Sequence, residues 1–396
     1  MTAPTAHRLA AKYYEANLGR EFRCSFKGHG KVDRVSRRIK ALEDQALYED
    51  DTNEVPPSDI VAYNELRSCA DLFRMANQGI LDIQPDFQRD IVWKGTDQTR
   101  FVDSLIKQLP IPSMCFAMDH RAQRWIVIDG LQRISTIVRF LRGEDWRLSQ
   151  LDDINQDIAG KTAAAIKTST DDLHQYYSRV ENQTLPINVL RCNFQKREHM
   201  EYLFTIFHRL NAGGIKLNNQ EIRNCIFSGP FNELLKDLDQ YVPWRKLNRM
   251  SAEGLYRFTK QELILRFFAF LEQRGKYKGQ VAKFLNSYMH ENRNADLDTL
   301  DQKSRLFRRT VDVILRTVFS EGPPTKMPVT IMESLLVGVA ANIERLESID
   351  AVSAHEMYVK LIEHPHFSED ALAEGLSKKP KVEERFSTAV EIFAGR

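Results

Sequence analysis

The sequence predicts an α+β domain followed by an all-helical domain. Up to about residue 195, short apolar runs typical of strands alternate with segments of helical period. Beyond Phe231 the strand pattern stops, and every apolar segment carries the helical period. An acidic, proline-containing stretch, YEDDTNEVPPSD, separates both domains from a basic N-terminal arm. We therefore divide the chain into an arm and linker (1–57), an α+β domain (58–230) and a helical domain (231–396).

Turn residues and apolar spacing predict the elements of the α+β domain. The short apolar runs LDIQ, SMCFAM, RWIVID and LPINVLRC are expected strands, and the tight DHRAQ turn joins the middle two as a hairpin. The expected helices are LFRMANQGI, TDQTRFVDSLIKQL, LQRISTIVRFLRGE and KREHMEYLFTIFHRLN. The first of them ends near Gly79. Thr96 is the expected N-cap of the second and Pro110 its stop, and Gly143 closes the third.

The helical domain begins with FTKQELILRFFAFLEQ, in which apolar residues recur at helical intervals. We expect Leu263, Phe267, Phe270 and Leu271 to form a buried stripe against neighbouring helices or the α+β domain. Four later segments carry the same period, which predicts helices for the rest of the chain.

The composition is typical of a folded cytoplasmic protein. No apolar stretch approaches the ~18 residues of a membrane helix. The N-terminus has polar residues every few positions, which is unlike a secretory signal. The five cysteines are scattered and form no CxxC pair, a pattern that suits a reducing compartment and argues against a disulfide framework or a zinc site. We therefore expect no membrane association and no bound metal.

The N-terminal arm is strongly basic. Between Arg20 and Lys40 eight Lys/Arg face two acidic residues, with Phe22 and Phe26 interleaved. Such a segment suits a phosphate backbone, because its cations release counterions and its aromatic rings stack on bases. The alternative is a solvated basic face or a loosely held arm. The residues expected to contact the DNA backbone are Arg34, Arg37 and Arg38.

The segment WIVIDGLQRIST joins an expected strand to an expected helix. Asp129 falls at the carboxyl end of the strand, where substrates commonly bind in α/β architectures. Gly130 permits a sharp turn and a close approach of backbone to ligand. The helix that follows attracts phosphate through its free N–H groups and its dipole, and Arg133 adds a forked cation. The alternative is that Asp129 caps the helix and pairs with Arg133.

Two further polar turns strengthen the functional interpretation. PDFQRDIVW places Gln88 and Arg89 between a strand and a tryptophan. FHRLNAGGIKLNNQEIRN ends a helix at Asn211, turns through two glycines and begins a second helix rich in amides and charges. Asn before Gly-Gly is also an ordinary helix end. Three separated turns of this polarity nevertheless favour a common binding site.

These three segments together resemble the ParB/sulfiredoxin-like domain at the N-terminus of GmrSD-type modification-dependent restriction enzymes. The hallmark of that family is Asp-Gly-Gln-Gln-Arg, preceded by a Gln-Arg…Trp box and followed by a Phe…Arg-Leu-Asn…Gly box. The resemblance covers residues 65–230, with a helical continuation to about residue 320. It implies a small mixed sheet with helices, a nucleotide- or DNA-binding cleft, and defence against phages with modified DNA. The matching positions are Gln88, Arg89, Asp129, Gly130, Gln132, Arg133 and Asn211.

Two departures from the family bear on mechanism. Leu131 stands where the family usually has glutamine, which removes an amide from the turn and argues against nucleotide hydrolysis. In the restriction enzymes of this family, NTP hydrolysis regulates a separate His-Asn-His metal nuclease. In residues 230–396 the one candidate for such a nuclease motif is HENRN, with His290, Asn292 and Asn294. This segment fits a polar helix end better than a nuclease motif. Either the chain serves a partner effector, or it performs its own metal-free chemistry.

Excision of a base would require an extruded nucleotide, an aromatic pocket, amide readers and a carboxylate. The carboxylate stabilises an oxocarbenium-like sugar and directs a water. The expected catalytic residues are Asp129, Arg133 and Gln132. The expected substrate- or phosphate-binding residues are Gln88, Arg89, Trp93, Gly130, His208 and Asn211. Phe87 and Trp125 are further stacking candidates, and His120 joins His208 as a possible proton carrier, although both histidines also fit purely structural roles.

Three hypotheses follow. The favoured one is a phage-defence enzyme that acts on double-stranded DNA carrying hydroxymethylated or glucosylated cytosine, by metal-free hydrolysis such as N-glycosidic base excision. The second is a regulatory domain that binds or hydrolyses NTP with Mg²⁺. The third is a non-catalytic DNA sensor that works with a partner nuclease. The favoured hypothesis, metal-free base excision, requires no cofactor.

Overall fold

The fold is described from a computed structural model. The described residues are 56–83, 93–143, 145–210, 217–250, 258–325, 327–373 and 375–396. Across those ranges, no helix has the length and apolar character needed to cross a bilayer.

A small mixed sheet lies in the N-terminal half, as predicted. Its strands are β1 (Val61–Ser68), β2 (Leu81–Asp82), β3 (Met114–Asp119), β4 (Arg124–Asp129) and β5 (Thr184–Cys192), in the order β1-β5-β3-β4-β2. β3 and β4 form the predicted antiparallel hairpin. β5 lies parallel to β3 and antiparallel to β1, and β2 lies parallel to β4. Because β2 and β4 are parallel, their carboxyl ends lie at the same edge of the sheet.

Helices cover both faces of the sheet. Those of the first half are α1 (Cys69–Asn77), α2 (Gly95–Ile106), α3 (Leu131–Arg142), α4 (Ala163–Thr168), α5 (Leu173–Asn182), α6 (Arg197–Leu210) and α7 (Asn219–Ile226). Phe116 and Val127 belong to a first hydrophobic cluster, which includes buried residues of α1–α5. Ile126 and Ile128 belong to a second cluster, which includes Phe204 of α6. The alternation along β4 therefore separates two cores.

The described residues from 230 onward are mostly helical, as predicted. Their α-helices are α8 (Pro230–Asp239), α9 (Val242–Leu247), α10 (Thr259–Gln273), α11 (Val281–Asn292), α12 (Leu297–Val313), α13 (Val329–Ala341), α14 (Ile343–Ser348), α15 (Ala351–Glu363), α16 (Glu369–Ala373) and α17 (Lys379–Ala394). A π-helical turn, Ile314–Val318, continues α12. Two 3₁₀ turns, Arg274–Lys276 and Pro365–Phe367, follow α10 and α15.

The second hydrophobic cluster continues from the sheet into the helical half. It includes Ile128 of β4 and Phe267 of α10, on either side of the predicted division at residue 230. That division stays a prediction. The expected stripe on α10 is buried at Leu263, Phe267 and Phe270, and Leu271 is partly buried against it. The adjacent residues from Ile264 to Ala269 are buried as well, so α10 is enclosed on most of its faces.

The sequence prediction was wrong at the start of α2, and it missed strand β1 and helices α4 and α5. Helix α2 begins at Gly95 with Lys94 as its N-cap, so Thr96 already lies inside the helix. Strand β1, VAYNELRS, was not predicted. Among the described residues it is an edge strand that pairs with β5 alone and is largely exposed, so it lacks the apolar alternation of a strand that covers a core.

Candidate functional site

The turn between β4 and α3 requires glycine. Gly130 is the N-cap residue of α3 and has a φ of 100°, in the left-handed region. A Cβ at this position would stand 2.6 Å from Cγ of Met114. No side chain of the N-cap residue covers the first-turn N–H groups. The capping alternative for Asp129 is therefore wrong, because Asp129 is the last residue of β4 and caps nothing.

Asp129 pairs with Arg133, as the structural alternative predicted. Nη2 of Arg133 donates to Oδ2 of Asp129 at 2.7 Å. Nη1 of the same guanidinium donates to the carbonyl oxygens of Pro112 and Ser113 in the α2–β3 connection. The Arg133 side chain is 14% exposed and that of Asp129 is 39% exposed. Arg133 thus fixes the carboxylate against the preceding connection.

The second carboxylate oxygen of Asp129, Oδ1, accepts no hydrogen bond from any residue that the structure describes. The side chain is partly exposed, so this oxygen can accept a hydrogen bond from a water or a ligand hydroxyl. Cys115 lies opposite Asp129 in the β3–β4 ladder. Burial, followed by the charge of Asp129, raises the pKa of the Cys115 thiol to about 12. Cys115 is therefore a protonated, buried neighbour and no nucleophile.

Trp93 lies beside the turn. Its backbone N–H donates to Oε1 of Gln132 at 3.5 Å, and its ring contacts Phe101 edge-on at 5.3 Å. On the other side, Asp82 of β2 is the register partner of Ile126, three residues before Asp129. The predicted site residues Gln88, Arg89 and Asn211, and also Phe87, lie outside the described residues, as do Arg34, Arg37 and Arg38.

Three predicted residues are not brought to the turn in the way their roles require. His120 lies in the β3–β4 turn, at the opposite end of β4 from Asp129, where Nδ1 contacts the Cys192 carbonyl oxygen at 2.6 Å. Trp125 is buried at that same end of β4, with the guanidinium of Arg67 4.8 Å from the centre of its ring, so it offers no stacking surface. His208 is partly buried near the end of α6, and no contact joins it to the turn within the described ranges.

The polar residues of NNQEIRN have structural partners. Arg223 is fully buried, and its Nη1 donates to Oε2 of Glu262 at 2.9 Å. Its Nε donates to Oδ1 of Asn286 at 2.8 Å. Asn224 likewise donates to Gln261. These contacts join α7 to α10 and α11, so this part of the third motif connects the two halves of the molecule.

The HENRN segment occupies the end of α11, as the prediction of a polar helix end required. Burial, followed by the positive charge of Arg293, lowers the pKa of His290. Among the residues described, no group of three or more His, Cys, Asp or Glu is arranged to hold a metal ion.

Sequence reasoning missed the partners of Arg133 in the α2–β3 connection. Pro112 and Ser113 contribute backbone carbonyl oxygens, which every residue possesses, so no residue type signals them. The proline pair in LPIPS marks a rigid connection and was the only local hint.

Gly130→Ala is expected to destabilise the protein by about 1–3 kcal/mol. Alanine is strained in the left-handed backbone conformation of this position, and its Cβ would clash with the Met114 side chain. The matched control is Gly322→Ala, since Gly322 has a φ of 114° but its added Cβ would meet no atom within 4 Å. Denaturant unfolding of both variants separates strain from clash. Equal destabilisation of the two variants would show that Met114 moves aside at no cost.

Comparison with known families places this turn inside a recognised domain. Residues 69–228 match the family described as GmrSD restriction endonuclease, N-terminal domain. Searches of curated proteins and of solved structures found no match to the chain. The matched region begins at α1, includes β2 to β5 with the Asp129–Gly130 turn, and ends just after α7. Residues 69–228 are therefore similar to the N-terminal domain of the GmrSD restriction endonuclease family.

Proposed function

We propose that this chain is a restriction-type phage-defence protein that acts on DNA, with the turn from Asp129 to Arg133 as its reaction site. The family match supports the general role. The observation that carries the choice of site is the Asp129 carboxylate. One of its oxygens is held by Arg133, while the other has no partner among the described residues and lies beside the start of α3.

The proposed reaction is metal-free hydrolysis of the N-glycosidic bond of a modified cytosine. In this reaction the bond between the sugar C1′ and the base breaks, and the electron pair leaves with the base. Asp129 stabilises the cationic sugar and accepts a proton from the attacking water, whose oxygen bonds to C1′. The departing base takes up a proton. Gln132, whose Oε1 accepts a hydrogen bond from the Trp93 backbone N–H, is proposed to read the extruded base, and the Trp93 ring to stack on it.

A second candidate function is binding of NTP with Mg²⁺. The N-terminus of α3, whose N-cap has no side chain, supports it because such ends bind phosphate. When bound, the nucleotide would supply a phosphoanhydride for hydrolysis, and Mg²⁺ would neutralise its charge. Leu131 weakens this candidate. Its side chain packs against both hydrophobic clusters, where the family usually has a polar glutamine.

The purified protein, incubated with plain, hydroxymethylated and glucosylated DNA, with and without NTP and Mg²⁺, tests these alternatives. Abasic sites confined to modified DNA are the expected product. Released phosphate without abasic sites would identify the NTP-dependent function. Strand breaks without abasic sites would identify a nuclease, and binding without any product a sensor that requires a partner nuclease.

The basic arm is proposed to contact the DNA backbone. Replacing Arg34, Arg37 and Arg38 with glutamine should weaken DNA binding and lower the slope of log affinity against log salt by about 0.9 for each phosphate that the arm no longer neutralises. Fluorescence anisotropy across a salt series measures both quantities. An unchanged slope would leave the arm as a solvated basic segment.

A further inference from the structure

Two basic stretches from distant parts of the chain meet in the helical half. One is 274–283, RGKYKGQVAK, and the other is 375–382, GLSKKPKV. The hydroxyl of Tyr277 donates to the carbonyl oxygen of Ser377 at 2.5 Å, across 100 positions of sequence. A Cβ on Gly279 would lie 3.8 Å from that same carbonyl oxygen and 3.9 Å from the backbone nitrogen of Lys379. The two stretches therefore form one continuous surface, here called the basic surface.

An aromatic cluster beneath this surface fixes the two stretches together. The ring of Phe270 lies 4.6 Å from that of Phe386 and 5.5 Å from that of Tyr277. Phe284 contacts both Phe270 and Tyr277. All four rings are buried. Because these rings come from α10, α11 and α17 and from the turn before α11, the surface rests on the packed core.

The basic surface carries an excess of positive charge. The two stretches contain seven Lys/Arg and no acidic residue. Three of the lysines pair with glutamates of α11 or α17, in the pairs Lys276–Glu291, Lys379–Glu383 and Lys381–Glu384. Arg274, Lys278 and Lys378 have no acidic partner among the residues described. Clustered cations without acidic partners attract an anionic ligand.

The N-terminal ends of two helices add to the positive charge of the basic surface. Helix α11 begins at Val281 and helix α17 at Lys379, both within the basic surface. The N-terminal end of a helix carries partial positive charge. None of the exposed large apolar side chains of the described residues belongs to either stretch. The chemistry is therefore that of a polyanion-binding surface, since it offers cations and helix N-termini without an apolar patch.

We propose that the basic surface binds the sugar-phosphate backbone of double-stranded DNA. The inference rests on the proposed function, which makes DNA the polyanion that this protein meets. It adds a third contact region, formed by other residues than those of the Asp129 turn and the N-terminal arm. Contacts of this kind hold DNA without reading its sequence, and they position a duplex while a single nucleotide is processed elsewhere.

The test compares two charge-matched double variants of the full chain. The first carries Lys278→Gln and Lys378→Gln, both within the basic surface. The control carries Lys161→Gln and Lys246→Gln, which are also exposed lysines but lie outside it. Affinity for a double-stranded DNA duplex is measured by anisotropy across a salt series. If each lysine of the basic surface contacts one phosphate, the first variant weakens binding and lowers the salt slope by about 1.8, whereas the control does neither.

The outcomes separate this inference from the proposed function. Equal slopes for the parent and both variants would overturn the inference, and so would an equal weakening of binding in the two variants. Base excision on modified DNA by the parent would still support the proposed function in either case. A parent that binds anionic lipid vesicles but not DNA would overturn both. Matching thermal unfolding curves for the two variants establish that the difference reflects charge at the surface and not folding.

Discussion

Replacing Asp129 with asparagine is expected to lower the rate of DNA processing about 100–1,000-fold while leaving the fold and DNA binding in place. Asparagine keeps the shape of the side chain, and its carbonyl oxygen can still accept the hydrogen bond from Nη2 of Arg133. What it removes is the negative charge that stabilises the developing cation and accepts a proton from water. Asp129 caps no helix, so no loss of capping complicates the result.

Single-turnover rates on modified DNA, with binding measured in parallel, provide the readout. Asp153→Asn is the matched control, because Asp153 also pairs with an arginine, Arg100, at 2.8 Å, but on the exposed surface. It should leave the rate unchanged, since exposed pairs contribute at most ~1 kcal/mol to stability. Activity of Asp129→Asn within a fewfold of the parent would show that the turn is scaffolding and that the chemistry lies elsewhere.

Phe267→Ala is expected to reduce the free energy of unfolding by about 3–5 kcal/mol. Phe267 is 0% exposed, and its ring contacts those of Phe268 and Phe307 at 5.0 and 5.4 Å. Truncation removes apolar contacts and leaves a cavity that the surrounding rings cannot close, because they are held by contacts with one another. Guanidinium unfolding followed by circular dichroism measures the change.

Leu271→Ala serves as the control in the same helix, since Leu271 is only partly buried against the second cluster. Leu271→Ala should lower the free energy of unfolding clearly less than Phe267→Ala does, because the folded protein buries less apolar area of the Leu271 side chain. If Phe267→Ala is as stable as the parent but no longer engages a partner protein, the α10 surface is an interface and not core.

Much of the fold was predictable because the relevant signals are local. The β3–β4 hairpin follows from two apolar runs around a tight turn, and α3 follows from its apolar spacing with Gly143 as C-cap, where φ is 71°. The Asp129–Arg133 pair was one of the two alternatives that the sequence offered, because the two oppositely charged residues lie close together around one short turn. The family resemblance, which the match to residues 69–228 confirms, depends on motifs that are themselves short.

The candidate site itself was only partly predictable. The sequence placed Asp129 and Gly130 at a strand-to-helix turn, and the structure has them there. It also grouped Trp125 and His120 with that turn, but both lie at the other end of β4. Proximity in sequence cannot distinguish the two ends of a strand, because each is only a few residues from its centre. The roles assigned to Gln88, Arg89 and Asn211 stay predictions.

The sequence by itself determined the fold class, the hairpin, the glycine turn and the helical second half, because each depends on periodicity or turn chemistry within about 20 residues. Only the tertiary structure decided the sheet order, the edge strand β1, and the burial of Arg223 between α7, α10 and α11. It alone brought Tyr277 to Ser377 and Arg133 to the carbonyl oxygen of Pro112. Such pairings depend on which surfaces exclude water together and on backbone acceptors common to all residues, and neither leaves a local pattern in the sequence.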